Sequence, residues 1–198
     1  MGRYTVAITG ASGSVYGLRA VERLLEQGHE VTFLMTEAGR EVTAYETGFE
    51  LPAEDAGTAL ARFLELPSAA LLRVASCEDL FDPIASGSYR VDGMLVIPAS
   101  MGFCAAIASG IASNLAERAA DVMLKERRPL VLVPRETPFS LVHLRNLTVL
   151  TEAGAIVAPA SPGFYHRPET LDDQVNFVVG KVFDVLGIEH KLFDRWGG

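Results

Sequence analysis

Two rhythms of apolar and polar positions alternate along the chain. One is a short, wholly apolar or β-branched run; the other is a longer stretch with apolar residues three and four apart. The first predicts strands over 4–9, 30–35, 71–75, 94–97, 130–133 and 155–158. The second predicts helices over 15–26, 37–47, 59–66, 141–152 and 171–186, with one broken or two consecutive helices in the alanine-rich stretch between Gly102 and Lys125. Gly28 closes the first helix and Pro129 follows the alanine-rich stretch. Strands that read as continuous apolar runs and are linked by helices predict a parallel sheet covered on both faces, an α/β fold. Such sheets bind ligands in the crevice beyond the carboxyl ends of their strands. No repeat, low-complexity tract or linker divides the chain, so residues 1–198 are expected to form a single domain.

Composition narrows the function. With 17 Lys and Arg against 25 Asp and Glu, the formal net charge is −8. The summed field repels nucleic acid and anionic bilayers, so neither is expected as a partner, and an anionic ligand must be held by a local cluster. Cys77 and Cys104 form no CxxC pairing, and no leader segment precedes the first strand, so a cytoplasmic chain is expected. The charge-free stretch 93–116 is long enough in principle to span a bilayer, but Gly93, Pro98, Gly102 and Gly110 break it into a buried strand, a loop and an apolar helix. His29, His143, His166 and His190 show no metal-ligand spacing, and HExxH and GxSxG are absent, so no metal and no catalytic triad are assigned.

The loops after the strands carry the candidate chemistry. Gly10-Ala11-Ser12-Gly13 follows the first strand and opens a helix, an arrangement whose backbone N–H groups suit a phosphate, although a tight turn without a ligand has the same composition. Glycines at 10, 13 and 17 are not the GxGxxG dinucleotide pattern, so a mononucleotide fits better than NAD. Thr36, Ser100-Met101-Gly102, Arg135-Glu136-Thr137-Pro138 and the proline-stiffened stretch 159–168 should converge on the same sheet edge. There they could hold a flavin or merely cap the next helices. Arg135 directly follows an apolar run, where a charge is usually partnered or bound to an anion.

Arg118 and Lys125 share a helical face with Asp121 between them, which reads equally as a solvated salt-bridge ladder and as a second cationic cradle. Tyr165, His166 and Lys181 could join such a cradle. Taken alone, Glu46 reads as a surface acid and Trp196 as a packing aromatic.

Several blocks in order, GASGSVYG at 10–17, ERAADVMLKERRPLVLVPRETP at 117–138, GAIVAPASPGFYHRP at 154–168 and Arg195-Trp196, resemble the UbiX-type flavin prenyltransferases over nearly the whole chain. The resemblance implies a doubly wound, Rossmann-like (flavodoxin-like) fold, a dodecamer with its site where subunits meet, and transfer of a dimethylallyl group from dimethylallyl phosphate to N5 and C6 of reduced FMN. The product would serve a UbiD-type decarboxylase. Carried over by position, Gly10, Ala11, Ser12, Thr36, Ser100, Met101, Gly102, Phe103 and Arg135 would contact FMN. Arg118, Lys125, Glu136, Tyr165, Lys181 and Trp196 would surround the prenyl phosphate, with Ser12 and Glu46 near N5. Two departures stand out: Lys181 replaces an arginine of some relatives, which keeps the charge but loses the bidentate fork, and Ala99 replaces a common cysteine.

Two other functions share this architecture. An FMN-dependent cysteine decarboxylase would need an active-site histidine and a PxMNxxMW signature without counterpart here, and an FMN carrier would give no reason for Arg118, Lys125 and Glu136.

Overall fold

The computed structural model describes residues 1–195. Six strands, β1 (Arg3–Ile8), β2 (Glu30–Met35), β3 (Leu72–Val74), β4 (Gly93–Ala99), β5 (Leu130–Pro134) and β6 (Ile156–Val157), alternate with seven helices. These are α1 (Ser14–Glu26), α2 (Glu37–Thr47), α3 (Ala56–Phe63), α4 (Met101–Ala108), α5 (Leu115–Lys125), α6 (Leu141–Glu152) and α7 (Leu171–Leu186). All pairings are parallel, in the order β3-β2-β1-β4-β5-β6. That is the Rossmann order, whose direction of winding reverses between β1 and β4.

Strand alternation splits the core into two layers. Val6, Ile8, Leu95, Ile97, Val131 and Val133 face one cluster with α1 and α7, while Ala7, Met94, Val96, Leu130 and Leu132 face a second with α4, α5 and α6. Strands buried on both faces need apolar residues at every position, which is why these segments read as unbroken runs. Each large side chain fully withdrawn from water, such as Phe33 or Leu95, contributes about 1.5–3 kcal/mol.

The charge-free stretch resolves into β4, α4 and the entry to α5, and no helix among the described residues is long and apolar enough to cross a membrane. The alanine-rich segment forms two helices. Ser100 caps α4 by accepting from Phe103 N–H at 3.2 Å, and Asn114 caps α5 by accepting from Glu117 N–H at 3.0 Å.

A candidate flavin crevice at the switch point

Where the winding reverses, β1 sends its loop to α1 on one face and β4 sends its loop to α4 on the other, opening a crevice between them. Thr9 fixes its floor. Its buried hydroxyl donates to Pro98 C=O at 2.9 Å and accepts from Ser100 N–H at 2.7 Å, locking the start of α4 to the end of β1. Gly13 precedes α1 at φ 109°, a conformation side chains rarely adopt. A Cβ on Gly10 would lie 2.6 Å from that of Ala38, so this loop packs directly on α2. Thr36 caps α2 through Gly39 N–H at 3.1 Å.

Of the expected FMN contacts, Gly10, Ala11, Ser12, Thr36, Ser100, Met101, Gly102, Phe103 and Arg135 all lie at the carboxyl ends of β1, β2, β4 and β5. Ala11, Met101 and Phe103 are buried, whereas Gly10, Ser12 and Gly102 are exposed at that edge. A Cβ on Gly102 would meet nothing within 4 Å, so the first turn of α4 opens on free space. Arg135 reaches back from β5 and donates from Nε to Ser12 C=O at 3.0 Å, partnered by backbone rather than by an acid.

One detail of the phosphate expectation changes. Glu46, on α2, accepts from Gly13 N–H at 3.0 Å and from Ser14 N–H at 2.9 Å, so the start of α1 is already occupied by a carboxylate of the same chain. An anion there is stabilised by the helix dipole and by donors that lack intrahelical partners. Burial pushes the Glu46 carboxyl up, but hydrogen bonds from the Ser12 hydroxyl and from Ser14 and Gly13 N–H hold it below its ordinary value. The starts of α2 and α4 are capped instead by the neutral hydroxyls of Thr36 and Ser100, and Arg135 lies at the same sheet edge. Glu46 is more than a surface acid, and its partners 32 and 33 residues away explain why local pattern gave no sign of it.

The cationic residues are not gathered in one place. Helix α5 runs against the strands: Leu115 N–H bonds to Cys77 C=O beyond β3, whereas Lys125 ends the helix just before β5 begins. Seven residues of α-helix separate Arg118 from Lys125 by about 10 Å along the axis. Arg118 donates to Asp121 at 2.6 Å and to Ala85 C=O at 3.1 Å, while Lys125 pairs with Glu126, so no continuous Arg-Asp-Lys ladder forms and the two cations are divided between two acids. Glu136 is exposed beside Arg135 and accepts from Thr137 N–H at 3.0 Å. Lys181 lies on α7, 3.4 Å from Asp184, and Tyr165 packs edge-on against Phe177 of the same helix. Trp196 lies outside the described residues.

Sequence reasoning missed the segment before β4. Arg118 and Arg128 hold Ala85, Gly87 and Tyr89 by their carbonyls, and a Cβ on Gly87 would fall 2.8 Å from Lys125 Nζ, so this segment flanks the α5 cations. The sole local signal was a glycine between Ser86 and Ser88. Among the described residues, no group of three His, Cys, Asp or Glu could hold a metal ion. Burial raises the Cys77 and Cys104 thiols to about 11 and about 12, which keeps both protonated and unreactive.

A flavoprotein family model matches residues 2–183. A flavin prenyltransferase UbiX of Alkalihalophilus pseudofirmus is 48% identical over 98% of this chain and 95% of its own, and that of Pseudomonas aeruginosa is 47% identical over 98% and 94%. Among solved structures, AnUbiX in complex with FMN and dimethylallyl pyrophosphate aligns with a TM-score of 0.89 at 37% identity, covering 100% of this chain and 98% of that one. A dodecameric FMN-dependent UbiX-like decarboxylase from Escherichia coli O157:H7 aligns at 0.87 and 38%, covering 99% and 100%. The cysteine decarboxylase TvaF, at 18% identity and a TM-score of 0.59, shares the fold alone.

Proposed function

The chain belongs to the flavoprotein family and, within it, to the flavin prenyltransferases, and we propose on that premise that it joins the dimethylallyl group of dimethylallyl phosphate to N5 and C6 of reduced FMN. The observation that carries this reading is the full-length likeness to a structure holding FMN and dimethylallyl pyrophosphate. The crevice suits FMN: it is lined by backbone, bounded by the hydroxyl-capped starts of α2 and α4, open above Gly102 and bordered by Arg135. When bound in reduced form, FMN supplies the two nucleophilic positions.

The chain's own residues divide the remaining work. Lys125, Arg118 and Lys181 would oppose the oxygens on which negative charge develops as the allylic C–O bond breaks, with Tyr165 beside them. Glu136, exposed and next to Arg135, would take the proton lost at C6. Glu46, held as a carboxylate, would orient the Ser12 hydroxyl toward N5 rather than store a proton itself. Trp196 would offer an aromatic face to the allyl cation.

Because Lys125 ends α5 just before β5 begins, at the opposite end of the sheet from the crevice, we assign it, with Arg118 on the same helical face, to the site of a neighbouring copy, in a homo-oligomer like the dodecameric relative. The product would pass to a UbiD-type decarboxylase. Anaerobic incubation with reduced FMN and dimethylallyl phosphate tests the activity. A flavin heavier by one C5H8 unit in the mass spectrum is expected, and unmodified FMN would overturn it.

A further inference from the structure

The last described residues fold back on α7 around one acid. Asp184 Oδ1 accepts from Arg195 Nη2 at 2.7 Å and lies 3.1 Å from His190 Nε2, while its Oδ2 lies 3.4 Å from Lys181 Nζ. His190 is almost wholly buried, with 1% of its side chain exposed, whereas Lys181 and Arg195 are half-exposed. Gly180 makes this possible: a Cβ there would come within 2.6 Å of Phe193 and 2.7 Å of His190. Phe193 packs on Phe177 at 4.9 Å between ring centroids, and Tyr165 meets the same Phe177 ring edge-on at 5.5 Å. The tail, the Tyr165 loop and Lys181 are thus one packed unit on α7.

We propose that Asp184 is a positioning residue for the prenyl donor, holding Lys181 and Arg195 side by side as one cationic patch for the donor's phosphate. The inference rests on the reading of Lys181 as a donor contact. Its electrostatics are simple. Two permanent cations on the two oxygens of one carboxylate leave an excess positive charge at the surface, while the carboxylate removes the repulsion that would otherwise drive the cations apart. Arg195 thereby becomes a phosphate-binding residue, and its planar fork supplies the bidentate capacity that Lys181 lacks.

The test compares Asp184→Asn, Arg195→Gln and Lys181→Met in the whole chain. For each, the KM for dimethylallyl phosphate and kcat are measured beside the FMN dissociation constant. Asp184→Asn and Arg195→Gln are each expected to raise KM about tenfold, the loss of one charge-assisted contact, with kcat and FMN affinity unchanged. Asp184→Glu is expected to recover part of the loss. A raised KM in Lys181→Met beside unchanged values in the other two overturns this inference alone. An unchanged KM in Lys181→Met overturns the donor-site reading, and this inference with it. If Asp184→Asn does not fold, Arg195→Gln, altered at an exposed side chain, decides the matter by the same readouts.

Discussion

Glu46 and Ser14 meet across two helices: the α2 carboxylate accepts the α1 backbone N–H at 2.9 Å and takes that of Gly13 as well. Glu46→Gln keeps the shape but removes the charge from the helix start, and is expected to cost about 1 kcal/mol, or about 2–4 °C in Tm. The sign of its pH dependence follows from the depressed carboxyl. Its stabilisation is complete above the ordinary value of 4.5 and is lost as pH falls through the lower folded value. The Tm difference between parent and Glu46→Gln should therefore be full at neutral pH, begin to shrink only below the ordinary carboxyl value of 4.5, and close once the pH has fallen past the depressed folded value, as thermal melts across the acid range would read. A constant gap would mean that the charge contributes nothing.

Arg135 joins the β5 loop to the β1 loop through Ser12 C=O, so it both shapes the crevice and borders it. Arg135→Met is expected to weaken FMN binding by about tenfold or more, the cost of losing a charged donor in a half-buried site. Arg135→Lys should recover little, because a single ammonium cannot keep the Ser12 contact and present further donors to the ligand. Flavin fluorescence titration measures both variants. Full recovery by lysine would reduce Arg135 to a point charge.

These two residues show how unevenly the sequence disclosed the molecule. Unbroken apolar runs gave β4 and β5, because strands buried on both faces leave no polar positions to blur the pattern, whereas the edge strands β3, with exposed Arg73, and β6, with exposed Ile156, rested on shorter β-branched cues. Arg135 was conspicuous because a charge directly after such a run is costly without a partner. Glu46 and Asp184 carried no such mark. Each lies on an amphipathic helix among other acids, and only the fold brings Glu46 to Gly13 and the tail back to Asp184. The division of Arg118 and Lys125 between Asp121 and Glu126 was equally hidden, since helical spacing places side chains on a face without choosing their partners.

Lys125 offers a test of how the site is assembled. Lys125→Ala is expected to abolish prenyl transfer while FMN affinity stays within about tenfold, near 1.4 kcal/mol. With Lys125 working in a neighbour's crevice, oligomers reassembled from Lys125→Ala and Glu136→Ala chains should regain activity, because some crevices receive an intact lysine and an intact glutamate. Single-turnover assays of the mixture would show this. Mixed oligomers as inactive as either parent would place both residues in one chain's site.

Two glycines separate packing from binding. A Cβ on Gly17 would lie 2.3 Å from Ile97 C=O and 2.5 Å from the Ile8 side chain, so α1 sits against β1 and β4 with no room for a methyl group. Replacing a helical glycine with alanine favours the helix by about 1 kcal/mol, but pushing α1 off the sheet costs about 1–3 kcal/mol or more, so Gly17→Ala should be less stable. Gly102 is also helical, yet a Cβ there meets nothing within 4 Å. Gly102→Ala should keep or slightly raise Tm and still lose FMN affinity, because the added methyl occupies the crevice at the open turn of α4. Denaturant melts and flavin titration of the two variants would give opposite orders. Equal FMN affinity in Gly102→Ala and the parent would move the flavin away from this helix start.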